Sequence, residues 1–368
     1  MPSLLAKARD KVSRHQDERR AGGRRSNDDD DEEEFGDPTE RLGRTNNNRT
    51  ATTTSDYQLE INAADNNAAL LLLDEKKQRR TWSFRGDPEE AHYKQHHAPF
   101  STLFALAQCI ILTVMMIKCG IAPLRINPMI GPGPDVLDYW GAKNAYKILE
   151  DGETYRLFTP VFLHAGIIHL VGNVMVQIDA GNTWEKEWGS LIWLLVYVGS
   201  TLGSSIFSCC FMPNNISVGS SGAVMGLFGA KFAEITLLCC EKGKTRRERW
   251  ANAMRNRQAC QVIGGILIVM AMSFIPFVDW AAHVGGVVAG FVIGIVCFSF
   301  QLGRRDSIVS WVFVAIWFIV GLGGVIALYS CMLVYMYTEV EANPDLKDVC
   351  AYYQQFFDDY ECNCQVGG

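Results

Sequence analysis

The first 98 residues lack any long apolar run, and this absence excludes a packed hydrophobic core in that part of the chain. They contain instead an acidic block from Asp28 to Glu34 and the Asn/Thr-rich stretch TNNNRTATTTSD. Such a segment cannot bury enough apolar surface to offset the entropy that is lost when a chain is ordered. We therefore expect residues 1–98 to form a disordered tail.

Charged residues become scarce after this tail, within seven long apolar stretches. Each stretch is close to the roughly 20 residues that a helix needs to cross a hydrocarbon core of about 30 Å. Backbone groups in lipid must be hydrogen-bonded internally, so helices are expected. The sequence predicts an all-α, polytopic membrane protein. The predicted spans run from Phe100 to Ala122, Phe158 to Ile178, Leu191 to Phe211, Ser221 to Cys240, Cys260 to Phe277, Ala281 to Phe300, and Val309 to Tyr337.

The basic residues of the connections predict the orientation of these spans. The connection from Glu241 to Arg257 is rich in Lys and Arg, and Arg304 and Arg305 follow the sixth span, so both connections are expected in the cytoplasm. The acidic C-terminal tail suits the opposite side. The predicted organisation is a cytoplasmic tail (1–98), a six-helix core (99–300), a seventh transmembrane helix (301–338) and a luminal or extracellular tail (339–368).

Cysteines are frequent, but most lie within or beside apolar helices, where they are expected to act as small hydrophobic residues. Three lie in the C-terminal tail: Cys350, Cys362 and Cys364. An oxidising compartment would permit a disulfide there, with Cys209 or Cys210 as a further candidate partner. The spacing leaves the pairing open.

Several familiar site patterns are missing. The stretch around Ser221 does not fit the G-x-S-x-G turn, because position 223 is alanine and no strand precedes it, so an α/β-hydrolase is excluded. His164 and His169 are five residues apart and point about 140° apart on a helix, which argues against a zinc pair. The helices show no inverted repeat or paired broken segments, which argues against a transporter.

A short set of polar residues lies within the predicted spans, where ionisable groups are costly. His169 and Asn173 are four residues apart and share a helix face, so they could direct two donors at one point, although each could equally be a helix-packing contact. Lys231 and Glu234 are three residues apart, and we expect them to pair with each other.

Small residues line one face of the fourth and sixth spans. Gly222 and Gly226 are four residues apart, as are Gly286 and Gly290. Such faces let two helix backbones approach closely. The first face starts directly after Ser221 and the second lies close to His283, so this packing would bring a hydroxyl and an imidazole together.

A serine hydroxyl becomes a nucleophile when a base removes its proton, and histidine is the usual base. Ser221 and His283 could form such a dyad. The negative charge of a tetrahedral intermediate would then be stabilised by the Ser221 N–H at a helix N-terminus and by the side chains of Asn173 and His169. Asp279, four residues before His283, is a possible orienting carboxylate, although a serine–histidine pair can work without one.

Three stretches together resemble a known family. RLFTPVFLHAGIIHLVGN resembles the second-helix signature of the rhomboid intramembrane serine proteases, GSSGAVMGLFGA is similar to their catalytic G-x-S-G helix, and DWAAHVGGVVAG is similar to their histidine helix. The resemblance covers roughly Asn127 to Gly294, in the family's order. It implies a six-helix core with a seventh helix after it, as in rhomboids of the eukaryotic secretory pathway.

The resemblance also implies roles for individual residues. Ser221 would be the nucleophile, His283 its general base and acid, and His169 and Asn173 the oxyanion donors. Further matches would support the site: His164, Gly219, Gly222 and Arg156. Met225 is also expected to support the site, but it departs from the family, because many members have a tyrosine there that stacks on the catalytic imidazole.

The implied function is cleavage of transmembrane helices of single-span membrane proteins through an acyl-enzyme, at or near the external edge of the bilayer. Membrane lipid is the other expected partner, and neither a cofactor nor nucleic acid is implied. The extra helix lies after the core, and the N-terminal tail contains an acidic block. Both features favour Golgi, plasma or endolysosomal membranes over mitochondria. A catalytically inactive rhomboid-like protein that binds client helices is the alternative.

Overall fold

The computed structural model describes residues 94–239, 246–273, 278–304, 308–357, 360–362 and 364. Residues 1–93, and with them most of the predicted N-terminal tail, lie outside this part of the chain. The described residues are helical or irregular, and their one β pairing is an isolated bridge between Lys143 and Ser217. The predicted all-α fold is confirmed.

Eleven α-helices follow one another along the described chain. They are α1 (Pro99–Cys119), α2 (Pro134–Tyr139), α3 (Ala145–Leu149), α4 (Ile167–Val176), α5 (Asn182–Trp188), α6 (Ser190–Phe211), α7 (Ser221–Leu238), α8 (Arg246–Met272), α9 (Trp280–Ser299), α10 (Ile308–Thr338) and α11 (Val349–Gln354).

Five of these helices are long and apolar enough to cross a membrane, namely α1, α6, α7, α9 and α10. They correspond to the first, third, fourth, sixth and seventh predicted spans. The outer faces of α1 and α10 carry exposed apolar side chains such as Ile117 and Ile319, which suit contact with lipid tails. The chain is a multi-pass integral membrane protein.

The predicted start of the second span at Phe158 is wrong. Two 3-10 turns occupy Thr154–Leu157 and Thr159–Phe162, and the helix begins only at Ile167. A Cβ added at Gly166, the residue before α4, would lie 2.2 Å from the carbonyl oxygen of Met129, so the chain is held there by a close backbone contact. From Ile167 the helical path is continuous through α4, a π-helical segment and α5.

The predicted fifth span lies in α8, which begins earlier than the apolar stretch. Part of the basic connection predicted from Glu241 to Arg257 is therefore helical. Because this first half of α8 is charged, α8 is not among the five helices that are apolar enough to cross a membrane. The described helix ends at Met272, and the end of the predicted span, residues 274–277, lies outside the described residues.

Aromatic side chains fill the main hydrophobic core between α5, α6, α7 and α9. Trp193 stacks on Tyr197 with ring centroids 4.6 Å apart, and Trp184 meets Phe228 edge to face at 4.9 Å. Rings of this size dominate the energetics of a core. Helix α7 is the most buried of the five candidate spans, so the other helices pack around it.

A buried ionic cluster lies within this core. The Lys231 ammonium is 2.9 Å from Glu234 and 2.5 Å from Glu187, and the Trp188 indole N–H also donates to Glu234 at 2.9 Å. The predicted pairing of Lys231 with Glu234 is confirmed, and Glu187 is an additional partner. Mutual pairing offsets the cost of placing these charges away from water.

The C-terminal segment is tied to the connection between α1 and α4 (residues 120–166, here the first connection). One disulfide joins Cys350 to Cys362, and a second joins Cys364 to Cys119 at the end of α1. The predicted disulfide in this segment is confirmed. The candidate partnership with Cys209 or Cys210 is wrong, because both are buried free thiols.

Hydrogen bonds add to this attachment. The Tyr360 hydroxyl donates to Asp135 on α2, and the Asn144 side-chain amide donates to the Leu346 carbonyl oxygen at 2.8 Å. The first connection is therefore held by covalent and polar contacts along its length.

Candidate active site

Ser221 is the first residue of α7, where a tight turn enters the helix. Gly219 has a φ of +125°, which L side chains rarely adopt. Its N–H donates to the Pro160 carbonyl oxygen at 2.9 Å, and a Cβ at this position would lie 2.8 Å from His169 Cε1. The turn therefore requires glycine at position 219, which lies directly against the His169 ring.

Helices α7 and α9 are joined by a glycine seam, which we define as Gly222, Gly226, Gly286 and Gly290. A Cβ added at Gly286 would lie 2.1 Å from the Gly222 carbonyl oxygen, and one at Gly290 would lie 1.9 Å from that of Gly226. No side chain fits between backbones this close. The predicted small-residue packing of the fourth and sixth spans is confirmed.

The glycine seam brings together the two residues at its end. His283 lies in the first turn of α9, and its Nε2 is 2.8 Å from Ser221 Oγ. The imidazole is buried, whereas Ser221 is half-buried. A hydroxyl and a ring nitrogen at this distance form the hydrogen bond that a serine–histidine pair needs for proton transfer.

The carboxylate of Asp279 does not orient the imidazole of His283. Its two oxygens accept hydrogen bonds from the Ala282 N–H, at 2.9 Å, and from the Ser208 hydroxyl, so it caps α9. His283 Nδ1 lies instead 2.6 Å from the hydroxyl of Ser273, the residue directly after α8. The possible orienting role of Asp279 is therefore wrong.

His169 points its ring at the turn before Ser221. Its Nδ1 accepts the Ala165 N–H at 3.5 Å, an arrangement that leaves the proton on Nε2, the atom that faces Gly219. His164 is fully buried behind it, with the two ring centroids 5.3 Å apart and its Nε2 3.4 Å from the Ser220 hydroxyl. The two histidines form one packed unit next to the turn before Ser221.

Asn173 is buried one helical turn after His169. Its side-chain amide donates one of its two N–H groups to the His169 carbonyl oxygen at 3.0 Å, which leaves the second N–H for another acceptor. Met225 is fully buried on α7, one turn after Ser221.

Arg156 is a buried brace of the first connection. Its guanidinium donates to the carbonyl oxygens of Asp138, at 2.7 Å, and Ala142, at 2.9 Å, and it pairs with Glu153. Burial raises the pKa of Glu153, but hydrogen bonds from Arg156 and Tyr155 outweigh burial and hold that pKa below its ordinary value. Arg156 therefore fixes the loop rather than contacting Ser221.

The first connection also contacts the segment that leads into the turn before Ser221. The Lys143 N–H donates to the Ser217 carbonyl oxygen at 2.9 Å, and the Asn127 side-chain amide donates to the Ala165 carbonyl oxygen at 2.6 Å. Ala165 is the residue whose N–H meets His169. The connection thus contacts both segments that enter the site.

Sequence reasoning missed Ser273 and Ser208. Ser273 follows an ordinary apolar stretch, and Ser208 lies among the small residues of α6, so neither belongs to a recognisable motif. Only the meeting of α8 and α6 with α9 gives these hydroxyls their partners.

Comparison with known proteins shows what the region around the site is similar to. A family model described as Rhomboid domain matches residues 151–300, the part of the chain that contains Ser221 and His283. No further domain assignment is needed for the site.

Curated proteins with similar sequences also have rhomboid-like names. RHOMBOID-like protein 6, mitochondrial, of Arabidopsis thaliana is 33% identical over 201 residues, which are 54% of this chain and 61% of that protein. RHOMBOID-like protein 1 of the same plant is 35% identical over 47% of this chain and 42% of its own length. Rhomboid-like protease 2 of Toxoplasma gondii is 32% identical over 50% of this chain and 61% of its own length. The matched region is thus less than two thirds of each relative. Within residues 151–300 the chain is similar to the Rhomboid domain and to these rhomboid-like proteins.

Proposed function

We propose that this chain is an intramembrane serine endopeptidase that cleaves transmembrane helices of single-span membrane proteins. The observation that carries the proposal is the 2.8 Å hydrogen bond between Ser221 Oγ and His283 Nε2, formed by two helices that are apolar enough to span a membrane. The name of the Toxoplasma relative, a protease, supports the same reaction class.

In the first step, Ser221 Oγ attacks the carbonyl carbon of the substrate peptide bond. Its proton moves to His283 Nε2, and the carbonyl π pair moves to the oxygen, which becomes the oxyanion. The imidazolium then returns the proton to the leaving amine as the C–N bond breaks. An ester between Ser221 and the substrate acyl group remains.

The oxyanion would be held by donors around the catalytic turn. The Ser221 N–H lies at the N-terminus of α7, where orphan N–H groups and the helix dipole favour negative charge. His169 Nε2–H faces the same turn. The second N–H of the Asn173 amide would join them, and each such donor contributes about 3 kcal/mol.

In the second step, water completes the cycle. His283 Nε2 takes a proton from a water molecule, whose oxygen attacks the ester carbon, and the same proton then returns to Ser221 Oγ. Because Ser221 is only half-buried, water has a route to this carbon.

Substrate helices would enter sideways between α4 and α8. Both helices expose apolar side chains, among them Met175 on α4 and Leu267 on α8. His169 of α4 lies against Gly219, and Ser273, directly after α8, contacts His283. A peptide bond must leave its helix to be cleaved, and unpaired backbone groups are costly in lipid. Substrates with small or helix-weakening residues at the cleavage site should therefore be preferred.

We place the protein in a secretory-pathway membrane, in the Golgi, plasma membrane or endolysosome, with the N-terminus in the cytoplasm. The basic residues between α7 and α8 support this orientation. The disulfides of the C-terminal segment support an oxidising environment on the other side.

The test is cleavage of a single-span reporter in cells that express the full chain. Wild type should release the reporter ectodomain, and Ser221→Ala should abolish release at equal expression. Ser299→Ala, which removes another buried helical hydroxyl far along α9, is the matched control and should cleave like wild type. Cleavage by Ser221→Ala would reject the proposal, and binding without cleavage by wild type would favour the inactive, client-binding alternative.

A further inference from the structure

Ser273 makes two short contacts that no motif predicts. Its side chain is buried, and its hydroxyl oxygen lies 2.7 Å from the Val269 carbonyl oxygen and 2.6 Å from His283 Nδ1. The second nitrogen of the same ring contacts Ser221. The imidazole is therefore held between two serine hydroxyls, one at the start of α7 and one directly after α8.

Donor accounting fixes the direction of these hydrogen bonds. A carbonyl oxygen can only accept, so a 2.7 Å approach to Val269 requires the single proton of the Ser273 hydroxyl. The hydroxyl then has only lone pairs for His283 Nδ1, which must carry the proton of the 2.6 Å bond. The neutral ring has one proton, so Nε2 is left with a lone pair that faces Ser221.

We propose that Ser273 is a positioning residue that accepts the Nδ1–H of His283 and so keeps Nε2 available as the base for Ser221. This inference rests on the proposed function. When Ser221 gives its proton to Nε2, the ring becomes an imidazolium, and its Nδ1–H stays bonded to Ser273. The proton on Nδ1 does not move, and Ser273 remains neutral throughout.

A hydroxyl suits this position better than a carboxylate would. A buried carboxylate needs several donors to offset its desolvation, and within a membrane protein the cost is higher. The carboxylate closest in sequence, Asp279, is already satisfied by Ala282 and Ser208. Ser273 supplies the acceptor without introducing a charge.

The kinetic test compares Ser273→Ala with wild type in proteoliposomes, with a fluorogenic transmembrane peptide as substrate. A hydrogen bond to a group that becomes charged is lost, so kcat should fall about 10-fold to 100-fold with KM unchanged. Ser273→Thr retains the hydroxyl and should recover most of the rate. The matched control is Ser299→Ala, because Ser299 also donates to a carbonyl of its own helix, Val296, at 2.9 Å.

A spectroscopic test separates this inference from the proposed function. In ¹⁵N-histidine-labelled Ser221→Ala protein, which has no nucleophile, a difference spectrum against Ser221→Ala/His283→Gln isolates the ring of His283. Its Nδ1 should show the protonated shift, and Ser273→Ala should remove this preference. A protonated Nε2 with Ser273 present, or wild-type kcat in Ser273→Ala, would overturn the inference. If wild type cleaves no substrate but Nδ1 is protonated, the positioning role stands and the proposed function fails.

Discussion

The glycine seam and the first connection hold the same site by opposite means. Along the seam, α7 and α9 meet through backbone alone, and an added Cβ would lie 1.9–2.1 Å from a carbonyl oxygen at Gly290 and Gly286. Along the first connection, side-chain hydrogen bonds from Arg156 and Asn127 hold the loops together, and the Cys119–Cys364 disulfide ties the end of α1 to the C-terminal segment. One region works by the absence of side chains and the other by their presence.

This difference shows which contacts set the distance between Ser221 and His283. The two helices that carry Ser221 and His283 can neither separate nor slide without losing the close contact of the seam, so their spacing is set by shape. Polar and covalent contacts in the first connection add stability around the site. Breaking the seam should therefore remove activity, whereas breaking the outer contacts should lower stability first.

The largest effect is expected from Gly290→Val. Its side chain would overlap the Gly226 carbonyl, which belongs to a backbone that cannot rotate away. Overpacking usually costs about 1–3 kcal/mol, and we expect more than about 3 kcal/mol here, with cleavage lost. Thermal unfolding in detergent measures the loss of stability, and the reporter assay measures the loss of cleavage.

The control for this variant is Gly323→Ala on α10. An added Cβ there has no neighbour within 4 Å, so stability should be unchanged or slightly higher. A Gly290→Val protein that cleaves like wild type would show that the seam does not set the dyad.

An intermediate effect is expected when the bond between Cys119 and Cys364 is removed. The double variant Cys119→Ser/Cys364→Ser should lose about 2–3 kcal/mol of stability, because the unfolded chain is no longer constrained. Labelling of Ser221 by a fluorophosphonate should stay within twofold of wild type at a temperature where the variant is folded. The control is Cys109→Ser, which removes a free thiol from the same helix. Lost labelling in a folded double variant would mean that the outer contacts also set the dyad.

The smallest effect is expected at Glu153. Its pKa is held below the ordinary value of 4.5, so its ionised form stabilises the fold above pH 4.5, and this contribution is lost as pH falls through the folded value. Glu153→Gln should cost about 0.5–1 kcal/mol at pH 7, because the pair with Arg156 is partly exposed. The difference between variant and wild type in unfolding temperature should vanish in acid. A constant difference across pH would rule out the ion pair as its cause.

Much of the fold could be predicted because lipid imposes a simple rule on sequence. Apolar stretches of sufficient length mark α1, α6, α7, α9 and α10. The start of α4 could not be predicted in this way, because the largely apolar stretch from Phe158 to Leu163 belongs to the first connection and contains a 3-10 turn, Thr159–Phe162, instead of an α-helix. Hydropathy measures the preference of a segment for an apolar environment. It does not distinguish a helix that faces lipid from a loop that is buried in protein.

The site could be predicted where the spacing of residues along a helix determines which of them share a face. Glycines at intervals of four on two helices predict a seam, and the seam predicts that Ser221 meets His283. The partner of the other imidazole nitrogen was not predictable, because Ser273 reaches it from a third helix. Proximity in sequence suggested Asp279, but a residue at an N-cap is committed to the backbone of its own helix.

The most direct measurement of the central claim is covalent labelling of the full chain by a fluorophosphonate, with the modified peptide mapped by mass spectrometry. If His283 activates Ser221, wild type should be labelled on Ser221, and the rate should fall at least about 100-fold in His283→Ala. Equal labelling of Ser221 in His283→Ala, or none in correctly folded wild type, would contradict the account.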